Sequence, residues 1–388
     1  MRRRGSVAAG SLTCLVLATA TSGCATPQRT QTRPDVLIGV NIELSGSAAR
    51  LGQSYRNALE LVVADINAKG VLGGRKVRLI IRDNRSDPDD ALRVARDLWE
   101  THRVVAMVGP GVSPTSLAVV DAAERRQVPM VSMGSAAEIV NPVAERQYAF
   151  KTTPNNDDMA EIQVAQLIGR GVTRVAYLAP SDAFGDASVK AFGIEVDKTA
   201  IRLVATERYD ANSDYAAEVR DVLRRRPDAI VVAAVPPQAA VLANEIQAAG
   251  FTGPVLFEAG AGLQPLFRKG DTVGPNILMV HPVILAIEQI TATVPVVLAQ
   301  KDFYRRYIQA HGSFAGSASY AADALGLIVA AIEKSGSVDP GDIRDALERT
   351  SYAGLTGEFT FSSTYHGGVD KASLAVLTAR DGDWVPVF

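Results

Sequence analysis

From Asp35 onward, short continuous apolar runs alternate with stretches in which apolar residues recur every three or four positions. Val36–Ile42 reads as a strand. The stretch from about Ala48 to Ala68 reads as a helix with Leu59, Val62, Val63 and Ile66 on one face. A strand at Lys76–Arg82 follows, then a helix opening after Asp87-Pro88, a strand at Val104–Val108, a helix at Pro114–Arg126 and a strand at Val128–Ser132. Apart from Asn41, Ser132 and the basic residues of Lys76–Arg82, these strands are continuous apolar runs rather than apolar at every second residue. That pattern, with amphipathic helices between, predicts parallel βαβ units whose sheet is covered on both faces.

The pattern restarts after Lys151-Thr152-Thr153-Pro154. Helices are expected over Asp157–Arg170, Phe184–Lys198, Asp214–Arg224 and Pro237–Ala249. Strands are expected at Val175–Ala179, Leu203–Thr206, Ala229–Ala234 and Val255–Phe257. A dozen strands in one open sheet would be unusual, so two successive α/β halves predict two doubly wound lobes. The tail departs from the alternation: Lys301–His311, Ala318–Lys334 and Pro340–Thr350 read as helices. Phe359-Thr360-Phe361, Ser373–Thr378 and Trp384–Phe388 then read as a strand meander.

Ahead of this body, Arg2-Arg3-Arg4 precede an apolar run from about Val7 to Ala20 that ends at Thr21-Ser22-Gly23-Cys24. A basic start, a short apolar run and small residues before a cut are the parts of an export signal. The run is too short to span a membrane. Its ending is similar to a bacterial lipobox, with Thr21 where leucine is usual, which makes Cys24 the expected lipidated first residue. Residues 1–23 are then the signal. Residues 24–34, polar and Pro-punctuated, are a tether. The protein is expected on the extracytoplasmic face of a bacterial membrane, held by its lipid alone. The only other cysteine, Cys14, lies inside the signal, so the exported body has neither a disulfide nor a thiol nucleophile.

Charge narrows the function. Without Arg2, Arg3 and Arg4 the chain holds 37 basic against 42 acidic residues, which offers no footprint for nucleic acid. There is no GxSxG elbow, P-loop or HExxH. His102, His281, His311 and His366 lie far apart in the chain, and none is at metal-ligand spacing. No enzyme, cofactor or metal is expected.

Two serines have mechanical content. Ser113 precedes Pro114 and reads as a helix N-cap with proline at the first helical position. Ser135-Ala136-Ala137-Glu138 fits a capping box. Both lie past the carboxyl ends of neighbouring parallel strands, where open α/β sheets place their ligand crevice. Helix N-termini there favour an anion, and one hydroxyl can cap a helix and bind a ligand together.

The runs GVNIELSGSAARLG (Gly39–Gly52), ALELVVADINAKGVLGGRKVRLIIRDNRSDPDDALRVARDL (Ala58–Leu98) and VVAMVGPGVSPTSLAVVDAAERRQVPMVSMGS (Val104–Ser135) carry a resemblance. So, more weakly, do SDAFGDAS (Ser181–Ser188) and FSSTYHGG (Phe361–Gly368). The chain resembles the type I periplasmic substrate-binding proteins of the branched-chain amino acid class, the leucine/isoleucine/valine-binding family. The resemblance implies two lobes joined by three crossovers, closing on a small molecule and handing it to an ABC permease. It places the crossovers near Ala149–Lys151, His281–Pro282 and Leu355–Phe359. One lobe is then 35–149 plus 283–354, the other 150–282 plus 355–388.

It also implies site positions. The serine that receives the ligand carboxylate matches Ser113, and the next turn matches Gly134, Ser135 and Ala136, where amino acid binders commonly have threonine at the last. The aromatic of a D-x-x-(Y/F)-G turn matches Phe184, between Asp182 and Gly185. Leu51 stands where an aromatic often lines the side-chain pocket, and Val235-Pro236-Pro237 where an aromatic often follows the second-lobe strand. The acid that pairs with the ligand ammonium belongs near Glu258, which aligns one residue off, opposite Ala259. The carboxylate half of the site is therefore kept and the ammonium half altered. A carboxylate ligand lacking an α-amine is expected, or an amino acid if Glu258 or Asp182 reaches the cleft. A sensory ligand-binding protein on the same fold is the alternative to a transport receptor.

Overall fold

The computed structural model describes residues 34–69, 72–210, 212–262, 276–380 and 382–387. The expected signal, the expected tether up to residue 33 and Cys24 lie outside the described residues. In chain order the first half runs β1 (Val36–Ile42), α1 (Ala49–Lys69), β2 (Val77–Asp83), α2 (Pro88–Glu100), β3 (Ala106–Val108), α3 (Ser113–Arg126), β4 (Met130–Ser132) and β5 (Ala149–Lys151). Its five strands form a wholly parallel sheet in the order β2-β1-β3-β4-β5. Val36, Ile38, Val40 and Ile42 are all buried, as a strand covered on both faces requires.

The second half runs α4 (Asn156–Gly169), β6 (Arg174–Pro180), α5 (Ala183–Val196), β7 (Arg202–Tyr209), α6 (Tyr215–Arg224), β8 (Ala229–Val232), α7 (Gln238–Ala248), β9 (Val255–Phe257) and β10 (Ile277–Pro282). The tail adds α8 (Pro295–His311), α9 (Ala318–Ser335), α10 (Pro340–Glu348), β11 (Ser351–Ala353), β12 (Glu358–Thr360), β13 (Leu374–Arg380) and β14 (Asp383–Pro386). The second sheet is mixed, β14-β13-β10-β9-β8-β6-β7, with β13 and β14 antiparallel at one edge. The two lobes of the sequence reading are present.

Three placements differ from those expectations. Ala149–Lys151, read as a crossover, is a strand paired to β4 in the first sheet. Phe359, assigned to the second lobe, pairs instead within a β11–β12 hairpin, and its ring packs in the cluster of Ile38, Val108 and Leu325 on the first sheet. Finally, α8, expected in the first lobe with α9 and α10, meets both lobes. Arg306 pairs with Asp65 of α1 and the Tyr307 hydroxyl donates to the Ser54 carbonyl, while Phe303, Tyr304 and Tyr307 belong to an apolar cluster that extends to Phe257, Met279 and Trp384 of the second sheet. Helical periodicity shows which face of α8 is apolar, but both sheets offer an apolar surface, so periodicity leaves the choice between them open.

Candidate functional site

A cavity of about 300 Å3 lies between the two lobes, at the carboxyl ends of the parallel strands. The first lobe contributes the turn after β3 (Gly111 to Pro114), the turn after β4 (Met133 to Ser135) and residues of α1 and α9. The second lobe contributes the turns after β6, β7, β8 and β9. Wherever a parallel strand ends, the chain must reverse into a helix, so each βα turn brings backbone amides and short side chains to the same edge.

Ser113 anchors the first-lobe wall, though not as an N-cap. Val112 is the cap residue of α3 and Ser113 the first helical residue, with Pro114 second. The Ser113 hydroxyl reaches across to the next turn and accepts from the amides of Ser135 (3.2 Å) and Ala136 (3.1 Å). The capping box at Ser135 does not form for the same reason: the amides at its start are already taken by Ser113. Ala136 is the cap residue of a short 3-10 turn with no side-chain cap, and Glu138 faces Lys190 at the surface. With both amides pointing at its oxygen, Ser113 keeps one O–H hydrogen to donate elsewhere. Ser113 lines the cavity, so that hydrogen is available to a ligand oxygen there.

Behind this wall the buried Glu43 accepts from the Gly111 amide (3.1 Å), the Thr115 hydroxyl (2.7 Å) and the Asn84 amide (2.9 Å). Burial pushes its carboxyl above the ordinary range despite these donors. Gly134 is required by packing: a Cβ there would lie 2.8 Å from the Ile139 side chain, 2.8 Å from the Ser116 hydroxyl and 3.1 Å from the Ser113 backbone. A residue without a side chain lets the two turns approach at the separation that the Ser113 bonds span.

The structure brings Leu51, Ser113, Gly134, Ser135, Asp182 and Phe184 into one lining. It leaves Ala136 behind the wall, fully buried, contributing its amide alone. Glu258 is also absent from the lining. It is buried beneath the cavity, where Tyr177 donates to one carboxylate oxygen (2.5 Å) and Ser188 to the other (2.9 Å). Burial raises its carboxyl to about 7. The lining positions on that element are Ala259 and Gly260, in keeping with the alignment of Ala259, rather than Glu258, to the family acid.

Asp182 stands at the edge of the cavity as the N-cap of α5, accepting from the Gly185 amide (3.0 Å). Burial raises its carboxyl despite that bond. Tyr55, Tyr209, Tyr320 and Gln238 also line the site and were missed. Tyr55 follows Leu51 by four residues and shares its helix face, and Tyr209 ends a strand; both positions were readable. Tyr320 lies in an apolar stretch of α9, where nothing local separates a cavity residue from a core one. Among the described lining residues the charged side chains are Asp182 and Asp210. No group of three metal-ligating side chains occurs among the described residues.

The model of the family described as periplasmic binding protein matches residues 35–383. A Leu/Ile/Val-binding protein homolog 7 of Brucella abortus (strain 2308) is 24% identical over 376 residues, covering 91% of each chain. A branched-chain amino acid transporter substrate-binding protein of Streptococcus pneumoniae, solved in complex with isoleucine, superposes with a TM-score of 0.77 at 24% identity. That match covers 90% of this chain and 97% of the other. A solute-binding protein of an ABC transporter from Rhodopseudomonas palustris BisB5, solved with 3,4-dihydroxybenzoic acid, gives 0.78 at 18% identity, over 91% and 96%.

Proposed function

We propose that this chain, which belongs to the periplasmic binding protein family, is the extracytoplasmic substrate-binding component of an ABC importer. It captures a small carboxylate-bearing solute between its lobes and delivers it to a permease. The observation behind this reading is the Ser113 hydroxyl: its lone pairs are filled by two backbone amides and its hydrogen is left for an anion in an otherwise largely apolar cavity. Its bond to a carboxylate would be charge-assisted, about twice as strong as one to a neutral acceptor. Ligand contacts from both lobes favour the closed state over the open one, which is how a two-lobed receptor senses occupancy.

Two solved neighbours of this fold hold carboxylates of different kinds, isoleucine and 3,4-dihydroxybenzoic acid. The withdrawal of Glu258 into its bonds with Tyr177 and Ser188 favours an acid without an α-amine. The presence of Asp182 in the lining favours an amino acid, whose ammonium it would meet. The export signal and Cys24 support a lipid-anchored form, which mass spectrometry of the mature N-terminus tests: an unacylated Cys24 removes the anchor.

The experiment for the function is a thermal-shift and calorimetric screen of the purified protein against amino acids, aromatic and aliphatic acids, their amides, and sugars. A ligand at 100 times its dissociation constant adds about 2.7 kcal/mol of stability, a shift of several degrees. Stabilisation by carboxylates and not by their amides is the expected result. Stabilisation by amides or sugars alone overturns the reading.

A further inference from the structure

Lys151, at the end of β5, is fully buried and has no carboxylate at ion-pair distance among the described residues. Its ammonium instead donates to the carbonyl oxygens of Ser135 (2.7 Å) and, more weakly, Pro154 (3.5 Å). Both of those residues line the cavity. A buried ammonium with only carbonyl partners costs several kcal/mol relative to water. A neutral side chain would tie the same two segments together without that cost.

The route from Lys151 to the cavity is continuous. Its Nζ donates to the Ser135 carbonyl, and the same peptide unit ends in the Ala136 amide. That amide donates to the Ser113 hydroxyl at 3.1 Å. In a trans peptide the C=O and N–H point in opposite directions. The charge therefore polarises the peptide from behind, and the peptide polarises the hydroxyl in front. Chains of hydrogen bonds strengthen one another in this way at low dielectric.

We propose that Lys151 is the counter-charge of the ligand carboxylate, acting through the Ser135–Ala136 peptide and the Ser113 hydroxyl rather than by contact. It is a positioning and polarising residue, one layer behind the wall, and it sets the preference of the cleft for an anion over its neutral amide. The inference rests on the carboxylate reading above. It explains how a cavity whose described charged lining groups are both acidic accepts an anion at the Ser113 end.

Other charges face Lys151. Asp157 and Asp158 in the first turn of α4 and Glu138 after β4 all favour its charged form, while burial opposes it and brings its pKa down to about 8. An anion arriving in the cleft adds to the first group. Carboxylate binding therefore raises the pKa of Lys151, and by linkage carboxylate affinity falls as pH rises through about 8.

The test is calorimetry on wild type, Lys151→Gln and Lys151→Arg with benzoate, 3,4-dihydroxybenzoate and L-isoleucine, each paired with its amide. Glutamine keeps a neutral N–H for the Ser135 carbonyl and arginine keeps the charge; unliganded melting curves confirm that both fold. The expected result is a loss of tenfold or more in carboxylate affinity in Lys151→Gln, with affinity for the amides unchanged. Lys151→Arg stays within about threefold of wild type and loses the fall in benzoate affinity between pH 7 and 9.5. If wild type prefers carboxylates and Lys151→Gln keeps that preference, the role of Lys151 is overturned and the carboxylate reading stands. If wild type binds none of the carboxylates, both fall together.

Discussion

The Ser113 hydroxyl oxygen lies 3.1 Å from the Ala136 amide nitrogen, bridging two βα turns whose residues are 23 positions apart. The bond fixes the spacing of the turns and turns the hydroxyl hydrogen away from its own helix. Ser113→Ala removes the donor and leaves two amides without their acceptor. The expected loss is about 1–3 kcal/mol of carboxylate affinity, read as a rise in dissociation constant of roughly 5- to 150-fold. An unchanged constant would take Ser113 out of the site.

Gly134 gives a second, purely geometric prediction. A methyl group there meets the Ser113 backbone at 3.1 Å and the Ser116 hydroxyl at 2.8 Å. Backbone cannot yield as a side-chain tip can, so Gly134→Ala pushes the turns apart. Overpacking of this kind costs typically about 1–3 kcal/mol. A lower melting temperature together with weaker ligand binding is expected. Melting curves with and without ligand separate the two; an undisturbed Gly134→Ala protein would show that the close approach is not required.

Much of this was legible in the sequence, for identifiable reasons. Ala106–Val108 and Ala229–Val232 could be read as strands because burial on both faces leaves no polar position, whereas β5 and β10 were read as crossovers and not as strands. Ser113 and Ser135 were readable because the end of a parallel strand is a fixed place in the fold, and Gly134 came from the family resemblance. Less legible was anything that depends on which way a side chain turns. Ser113 reads as a cap from its neighbours, yet its hydroxyl serves the following turn. Glu258 stands one residue from the cleft, and a one-residue step past the end of β9 takes it beneath the wall to Tyr177 and Ser188. Lys151 sat in a segment read as a linker, where nothing local indicates that its ammonium is buried.

Glu258 carries a stability prediction with a definite sign. Its carboxyl is raised to about 7 in the folded protein, chiefly by burial, against 4.5 ordinarily. A raised acid contributes stability that is fully present below about pH 4.5 and is lost as pH rises through about 7, because the unfolded chain ionises first. Asp323, buried and also raised to about 7, acts in the same direction. The wild-type melting temperature should therefore fall between pH 5 and pH 8, and Glu258→Gln should reduce that fall without removing it. Equal slopes for the two proteins would mean that Glu258 is ionised throughout.

Asp182 separates the two kinds of carboxylate ligand. As the cap of α5 it accepts from the Gly185 amide, and asparagine caps a helix about equally well, so Asp182→Asn keeps the fold while removing the charge. Burial holds the carboxyl above its ordinary range despite the bond from the Gly185 amide, so its charged form gains from a cationic neighbour in the cleft. An ammonium would be such a neighbour, and hydrogen bonds to charged groups are worth about 1.5–3 kcal/mol. Calorimetry of Asp182→Asn should accordingly show L-isoleucine weakened by tenfold or more, while benzoate stays within threefold or binds more tightly as the repulsion of its carboxylate is relieved. The comparison is internal to one variant, so a general loosening of the cleft would weaken both ligands alike. That outcome would remove Asp182 from the ammonium side of the site.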